Sequence, residues 1–534
     1  MPHDSDDEPF TFNSCSYQSA GVAGDAAVAK MEASDGPGSG RVFEGPPVSA
    51  ERTSPSIDGS SRDMGVGSDV QMEKHGSEPR VYVKRWAILV MFILLSASNG
   101  AQWIMYSVIA QIVSDFYGVS YTAVDWTSMI YMLTYIFLFI PASYLLDKYG
   151  LRVSILLGAT GNAIGAWIKI FSTSSDAFWI TFIGQTIVGA SQMFTLGIPP
   201  RLAAVWFGPN EVSTACAAGV FGNQLGIAMG FLVPPLLVHN GTKEEVAYDL
   251  NKLFLCSAVL NSIILVMILC FFAARPPTPP SLAQITAQEE KSIDSNFWRT
   301  LGKLLTSKDF VLLFITYGIN TGVFYAVSTL LAQMVLPFYP TESEAIGQIG
   351  VAIVVAGMLG SVVGGFLLDR FKKFKLTTVL DYLFSFLAML AFTFTLDLGS
   401  IVVVFVNAFI LGFFMTGYLP IGFEFAAEIT FPAAEGTTGG LLNASAQIFG
   451  MLLTLAMGQV MHGISTFWCN IIMSAALIFG TFLTTYLNLL DKLNLMVYKV
   501  AVKYGSLFSK AGMGIGKQLS RISCDNTIDS GFLK

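Results

Sequence analysis

The residues of this sequence that could take part in chemistry are mostly neutral, and they interrupt long apolar runs. Trp103 lies in NGAQWIMYSVIAQ and Tyr325 in TGVFYAVS, inside two such runs. Two aromatic rings that face each other attract a cation through their ring quadrupoles, and quaternary ammonium is a typical ligand. Gln192 and Gln447 also fall within apolar runs and could accept a hydrogen bond from a hydroxyl or amine group. These four residues predict a substrate-binding site for a soft organic cation, which needs no carboxylate.

An internal repeat gives the reason to place Trp103 opposite Tyr325. When the chain is shifted by 222 residues, WIMYSVIAQIVSDFY from Trp103 falls on YAVSTLLAQMVLPFY from Tyr325. Identical pairs in this alignment include Ala110/Ala332, Gln111/Gln333, Phe116/Phe338 and Tyr117/Tyr339. At a shift of 223, Gln224 falls on Gln447. We therefore expect two duplicated halves that pack about a pseudo-two-fold axis, with a central cavity between them.

Three further polar side chains belong to the same pattern. Asn99 and Gln102 precede Trp103, and we expect them to line the same cavity. Gln224 has the repeat position of Gln447, but a glutamine inside a membrane span often joins helices by hydrogen bonds, so both interpretations stay open for it. A single Trp or Tyr usually serves packing or an interfacial belt. The repeat match favours the paired site for Trp103 and Tyr325.

Ionisable side chains are nearly absent from the middle of the apolar runs. Lys169, Asp381 and Glu424 lie near the ends of runs, and the histidines His3, His75, His239 and His462 are assigned to tails or loops. A charge inside a membrane costs about 2.5–3.5 kcal/mol on insertion scales and so tends to mark an ion or proton site. Its scarcity favours facilitated diffusion over proton coupling. The six cysteines are scattered without a CxxC, so no metal site and no cofactor are expected.

The composition indicates a polytopic membrane protein. Of the 534 residues, 53% are hydrophobic and only 13% are charged, whereas a soluble protein is about one quarter charged. The apolar runs are long enough to cross a hydrocarbon core of about 30 Å. They lack the ten-residue alternation of a β-barrel, so the fold class is an all-α membrane protein. No secretory signal peptide is expected, and the first span would serve as the membrane signal.

Twelve helical spans are predicted, in two groups of six. Their limits are 86–112, 124–146, 152–173, 177–200, 212–238, 252–274, 310–336, 345–368, 377–396, 400–425, 436–461 and 466–488. Residues 84–274 and 310–488 form the N-terminal and C-terminal six-helix bundles, joined by a cytoplasmic linker at 275–309. Residues 1–83 are a tail predicted to be disordered, and 489–534 are a second tail that could begin with an amphipathic helix. Two groups of six with a polar hinge is the layout of the major facilitator fold.

Loop charges predict the orientation. Lys84 and Arg85 precede the first span, and most other loop lysines and arginines fall on the same side of the membrane, so both termini are expected to be cytoplasmic. Asn240 begins a glycosylation sequon in a loop that this topology places outside. The plasma membrane is the expected location, and a mitochondrial or endoplasmic reticulum pool stays open.

Two charged loop segments occupy equivalent repeat positions. LLDKYGLR carries Asp147 and Arg152 between spans 2 and 3, and LLDRFKKFK carries Asp369 and Arg370 between spans 8 and 9. An Asp at a helix end beside basic residues can pair across the bundle and hold the cytoplasmic face closed. The alternative is an ordinary charged membrane flank. Since both segments lie at the membrane surface, neither is a substrate site.

The sequence resembles the feline leukaemia virus subgroup C receptor-related family of the major facilitator superfamily over about residues 82 to 490. The segments that carry the resemblance are YMLTYIFLFIPASYLLDKYGLR, VWFGPNEVSTACAAGVFGNQLGIAMGFLVPP, FVLLFITYGINTGVFYAVSTLL and GFFMTGYLPIGFEFAAEITFPAAEGTTGGLLNASAQIFG. Members of that family carry choline and ethanolamine and were earlier assigned haem export. The resemblance implies a choline cage formed by Trp103 and Tyr325, with Gln192 and Gln447 near the substrate.

The expected function is therefore transport of choline and related amines by facilitated diffusion with alternating access. Haem export is the alternative, and a receptor or regulatory subunit without transport is a third class that the gate segments in both halves argue against. An enzyme is not expected, because no clustered nucleophile, base or metal set occurs in the sequence. The expected partners are a small-molecule substrate and the lipid bilayer, without nucleic acid, and the protein is expected to be a monomer.

Overall fold

The computed structural model describes residues 80–208, 211–278, 280, 297–340, 342–371, 374–430 and 435–486. These residues are helical almost throughout, and none of them forms a strand. In lipid a helix satisfies its backbone hydrogen bonds within one segment, which is why apolar sequence takes this form in a membrane. The all-α fold is thus confirmed. The two predicted tails lie outside the described residues, apart from residues 80–83.

Fifteen helices make up the described part of the chain. They are α1 (Lys84–Ile104), α2 (Ala110–Tyr117), α3 (Tyr121–Ile170), α4 (Phe178–Ser191), α5 (Met193–Leu196), α6 (Pro199–Trp206), α7 (Val212–Leu237), α8 (Lys243–Phe271), α9 (Phe297–Thr306), α10 (Lys308–Val335), α11 (Ser343–Phe371), α12 (Phe374–Thr395), α13 (Ile401–Thr430), α14 (Glu435–Gly463) and α15 (Thr466–Tyr486). We call the side of the bundle with Lys84 the proximal end and the side with Ile104 the distal end.

The predicted count of twelve crossings is nearly matched among the described residues. Eleven stretches of the described chain are long and apolar enough to span a membrane as one helix. Two of these lie in α3, which is interrupted at Gly150, where φ is 79°. That left-handed conformation favours glycine because a Cβ would be strained there. The fourth crossing, residues 178–206, is divided among α4, α5 and α6.

The two halves repeat the same helix pairs, as the internal repeat predicts. In the N-terminal half α1 packs against α7, and α3 packs against α4. The equivalent pairs in the C-terminal half are α10 with α14, and α11 with α13. The halves meet through another equivalent set, α7 with α11 and α3 with α14. These pairs confirm two pseudo-symmetric bundles.

Small residues allow the paired helices to approach closely. A Cβ added at Gly226 of α7 would run into the Ala97 backbone of α1. A Cβ at Gly360 of α11 would run into the Phe413 carbonyl of α13. Because lipid tails are as apolar as the helices, close van der Waals packing of this kind drives association within a membrane.

The first crossing differs from its prediction. A continuous span was expected over 86–112, but α1 ends at Ile104, residues 105–109 form turns, and α2 begins at Ala110. The break begins at Met105, two residues after Trp103, so the indole lies in the last turn of α1 rather than in the middle of a regular helix. The predicted linker 275–309 also contains a helix, α9, and α10 begins within it at Lys308.

Candidate functional site

Trp103 and Tyr325, which come from opposite halves of the molecule, meet in the structure. Their ring centroids lie 5.3 Å apart and their planes are inclined by 69°, an edge-to-face arrangement. Trp103 is 4% exposed, and Tyr325 is partly buried against the same core. Aromatic pairs in this geometry attract each other by about 0.5–1.5 kcal/mol beyond the burial of their area. The repeat-equivalent aromatics are therefore a direct contact between the two halves.

The cavity predicted between the two rings is closed. At 5.3 Å between centroids, the edge of one ring fills the space in front of the other ring. A cation binds within about 6 Å of a ring face, so a cation held between both rings requires them to separate. Because Trp103 and Tyr325 belong to different halves, such a separation is a movement of one half relative to the other.

Gln447 and Gln192 present unpaired amide atoms. Gln447 in α14 is 2% exposed. Its Nε2 has no partner among the described residues. Gln192, at the break between α4 and α5, is 7% exposed, and its Oε1 likewise lacks a partner in the described part of the chain. Buried polar atoms are nearly always paired, so these two exceptions call for a ligand or water.

Gln102 and Gln224 show the same feature. Gln102 is 2% exposed, and within the described chain neither its Oε1 nor its Nε2 has a hydrogen-bond partner. Gln224 is half-buried, with an Oε1 that no described residue satisfies. Both side chains therefore have hydrogen-bonding capacity left over, as a cavity-lining role requires.

Asn99 was predicted to line the cavity, but its side chain is bonded inside the N-terminal half. Its Nδ2 donates to Asn162 Oδ1 at 2.8 Å and to the Val188 carbonyl at 3.2 Å. The side chain is fully buried within the N-terminal half. Asn99 thus joins α1 to α3 and α4, because an amide that finds two acceptors between packed helices is stabilised there.

A buried amide that sequence reasoning missed holds the helix end beside Trp103. Gln185 of α4 is fully buried, and its Nε2 donates to the Gln102 carbonyl at 3.0 Å and to the Thr127 carbonyl at 3.2 Å. Since α1 ends at Ile104, the Gln102 carbonyl lies among the last carbonyls of a helix, which have no intrahelical donor. Gln185 supplies that donor.

Lys169 fixes the orientation of this amide. Its Nζ donates to Gln185 Oε1 at 2.8 Å, and the Tyr131 hydroxyl donates to the same oxygen at 3.3 Å. Lys169 is 1% exposed and also lies 5.9 Å from the centroid of the Tyr106 ring. The sequence placed this lysine near the outer end of span 3, and its burial was missed. We call Gln185 with these partners the Gln185 node.

A second buried group, Asp125, lies between the halves near the distal end. Asp125 of α3 is 2% exposed, and its Oδ1 accepts a hydrogen bond from Gln333 Nε2 of α10 at 2.6 Å. The Gln333 Oε1 lies 3.0 Å from His462 Nε2 of α14. His462 is thus in a membrane-spanning helix, and its assignment to a tail or loop was wrong. We call Asp125, Gln333 and His462 the distal lock.

The residues predicted to gate the proximal end are only partly described. The side chains of Asp147 and Asp369 lie outside the described residues. Arg152 Nη2 donates to the Leu269 carbonyl at 3.3 Å, a bond within the N-terminal half, and Arg370 is exposed. Pairing across the bundle by these four residues stays a prediction.

Two other predicted features concern surface and metal chemistry. Asn240 is exposed in the turn between α7 and α8, on the distal end, where a modifying enzyme could reach it. Among the described residues, no group of three or more His, Cys, Asp or Glu side chains is placed to hold a metal ion.

Comparison with known proteins finds similar sequences over most of the chain. The family model described as Major Facilitator Superfamily matches residues 91–454. Uncharacterized MFS-type transporter C09D4.1 of Caenorhabditis elegans is 72% identical over 78% of this chain and 71% of its own length. Choline/ethanolamine transporter flvcr2b of Danio rerio is 48% identical over 81% of this chain and 90% of its own length.

A solved structure agrees with the fold. The Escherichia coli fucose:proton symporter FucP superposes with a TM-score of 0.55 over 76% of this chain and 99% of its own, at 14% identity. The relatives are transporters, which confirms that the protein is a membrane transporter and not an enzyme. The chain belongs to the major facilitator superfamily and, within it, to the family related to the feline leukaemia virus subgroup C receptor.

Proposed function

We propose that this protein carries choline and related amines such as ethanolamine by facilitated diffusion, with the ammonium group held between Trp103 and Tyr325. The observation that carries the proposal is the contact of these two rings, one from each half, at 5.3 Å. The name of the zebrafish relative supports the substrate class. Each ring would contribute about 0.5–2 kcal/mol to a desolvated cation.

The glutamines give the site its second recognition element. Gln447 Nε2 and Gln192 Oε1 are buried without a partner in the described chain, so one donor and one acceptor are available. The hydroxyl of choline or ethanolamine can use either, and the ammonium group of ethanolamine can donate to Gln192 Oε1. Both amides are neutral, so the substrate would be held without an ion pair and could leave on the other side.

Alternating access is the mechanism that the ring contact favours. A substrate between the rings must part the two halves, and release must let them close again. Asp125 and Asp381 are carboxylates in membrane-spanning helices, so the expected scarcity of intramembrane charge applies to the aromatic and glutamine site rather than to the whole protein. We therefore base the proposal of facilitated diffusion on the neutral side chains of that site.

The orientation and location follow from loop charge. We place the distal end outside the cell, both termini in the cytoplasm and the protein in the plasma membrane. The exposed position of Asn240 at the distal end supports this topology. Replacing Asn240 by Gln and measuring the mobility shift on glycosidase treatment tests it. We further propose that one chain is sufficient, because all residues of the site come from a single chain.

Uptake of labelled choline by cells expressing wild type, Trp103→Ala and Tyr325→Ala tests the function. We expect each substitution to lower uptake by at least about ten-fold at low choline concentration, as loss of a ring contact of more than about 1.4 kcal/mol implies. Trp179→Ala is a matched control, since Trp179 is 70% exposed and lies away from the pair.

Three outcomes would contradict the proposal or a part of it. Uptake that survives both substitutions at wild-type surface amounts would remove the aromatic pair from the mechanism. Export of haem that depends on the same two rings, without choline uptake, would replace the substrate class. A sodium or proton requirement would refute facilitated diffusion alone.

A further inference from the structure

We propose that Asp125 is an exchangeable cation contact on the transport path. In the closed state its carboxylate binds Gln333 and holds the distal end shut, and in the open state it binds the ammonium group of the entering substrate. The inference rests on the proposed amine substrate, and it adds a charged entry residue to a binding site that is otherwise neutral.

The distal lock joins both halves of the molecule. Asp125 belongs to the N-terminal half, whereas Gln333 and His462 belong to the C-terminal half. Gln333 Nε2 donates to Asp125 Oδ1 at 2.6 Å, and Gln333 Oε1 lies 3.0 Å from His462 Nε2. An amide oxygen can only accept, so this second bond needs the proton on His462 Nε2. His462 thereby keeps the NH₂ group of Gln333 turned toward Asp125.

The lock lies on a seam that leads directly to the aromatic pair. Gln333, Thr329 and Tyr325 are four residues apart on α10 and so share one helix face. One turn below the lock, the hydroxyls of Ser128 and Thr329 lie 3.1 Å apart, which continues the contact between α3 and α10. The seam ends at Tyr325 and Trp103. A substrate entering from the distal end through this seam passes Asp125 before it reaches the rings.

The chemistry of the lock suits an exchange. A buried carboxylate is costly unless it accepts hydrogen bonds, and Asp125 at 2% exposure accepts one from Gln333. The donor is a neutral amide, which binds a carboxylate less strongly than an arginine or lysine would. When the seam opens, Gln333 moves away with its half, and an ammonium group is the natural replacement. Without substrate, Asp125 favours the closed state through its bond to Gln333. With substrate, it favours entry by binding the ammonium group.

The exchange predicts opposite effects for the two partners of the bond. Asp125→Asn keeps an acceptor oxygen for Gln333 but removes the charge, so we expect the KM for choline entering from the distal end to rise by about ten-fold. Gln333→Leu removes the donor but keeps the charge, so we expect the KM to stay unchanged or fall. If Asp125 and Gln333 only held the distal end closed, both substitutions would change the KM in the same direction.

The experiment measures choline uptake kinetics and surface amount in cells that express the full chain. Asp125→Glu should retain a KM within about three-fold of wild type, because it restores the charge. Asp115→Asn is the matched control, since Asp115 is an exposed carboxylate ten residues away on the distal end. A second readout is labelling of Ser128→Cys by a membrane-impermeant thiol reagent, which Gln333→Leu should accelerate and Asp125→Asn should not.

A wild-type KM in Asp125→Asn would overturn the exchange, and so would a raised KM in Gln333→Leu. If Asp125→Asn fails to reach the surface, a raised KM in Gln333→Leu still overturns the exchange and a lowered KM supports it. Failure of the proposed function is a separate result: wild-type protein would carry no choline, or uptake would not depend on Trp103. Uptake that depends on Trp103 but not on the charge at position 125 would remove this inference and leave the proposed function standing.

Discussion

Gln185 and Gln333 are both buried glutamines close to the aromatic pair, but they differ in what they connect. Gln185 lies within the N-terminal half and uses its amide in four hydrogen bonds, two as donor and two as acceptor. Gln333 joins the two halves and has two bonds in the structure, to Asp125 and His462. One amide is fully satisfied inside a packed half, and the other bridges a seam.

In the proposed transport cycle, this difference separates a part that stays fixed from a part that moves. The Gln185 node holds the last turn of α1, and hence Trp103, inside the N-terminal half. The distal lock has to open whenever the halves part. If the lock is lost, water can reach Asp125 through the opened seam, whereas the groups around Gln185 have no such access. The same substitution at the two glutamines should therefore have different consequences.

The largest effect is expected for Gln185→Leu. The change leaves the buried Lys169 amine with only the weak Met105 sulfur acceptor at 3.7 Å and removes the Gln185 donor from the Gln102 carbonyl, which should lower the free energy of unfolding by about 3 kcal/mol. The measurement is the Tm of the purified protein in detergent. A double variant, Lys169→Met with Gln185→Leu, should lose less than the sum of the two single variants, because both partners are then apolar. Additive losses of Tm would contradict a direct interaction between Lys169 and Gln185.

A smaller loss of stability is expected for Gln333→Leu. The loss should be about 1 kcal/mol, because opening the seam hydrates the freed Asp125. A shift of that size toward the open form corresponds to about a five-fold rise in its population relative to the closed form. The Tm tests the loss of stability, and the rate of thiol labelling at the distal end tests the shift toward the open form. A Tm loss as large as that of Gln185→Leu would show that the lock is part of the packed core.

The smallest effect is expected for Ser128→Ala, which removes one hydroxyl from the seam. The contact between Ser128 and Thr329 at 3.1 Å should be worth less than about 1 kcal/mol. Ser98→Ala is the comparison within the N-terminal half, where Ser98 Oγ donates to Asn261 Oδ1 at 2.7 Å and accepts from Asn162 at 3.2 Å. We expect a larger fall in Tm for Ser98→Ala. The reverse order would contradict the distinction between the fixed half and the mobile seam.

Much of the fold could be predicted from the sequence, because membrane helices are defined by long apolar runs and the repeat defines the symmetry. The same repeat brought Trp103 and Tyr325 together in the prediction. What the sequence did not show is where helices break. The end of α1 at Ile104 depends on a side chain from another helix, the Gln185 amide that donates to the Gln102 carbonyl, and hydropathy does not detect such contacts.

The buried carboxylate was missed for a related reason. Asp125 lies near the end of an apolar run, where a charge normally contacts water, and nothing in the linear pattern shows that Gln333 covers it. Gln333 itself was visible through its match with Gln111, but its partners were not. A signal that could have found the lock is the placement of Asp125, Gln333 and His462 at the same end of spans that the fold brings together.

The central claim, that two rings bind a charge, is tested most directly by comparing choline with its neutral carbon analogue, 3,3-dimethylbutan-1-ol. The two molecules share shape and hydroxyl but differ in charge. The measurement is displacement of labelled choline from purified wild-type protein. We predict displacement by unlabelled choline, at least about ten-fold weaker displacement by the analogue, and loss of that difference in Trp103→Leu. Equal displacement by both compounds from the wild-type protein would contradict the account.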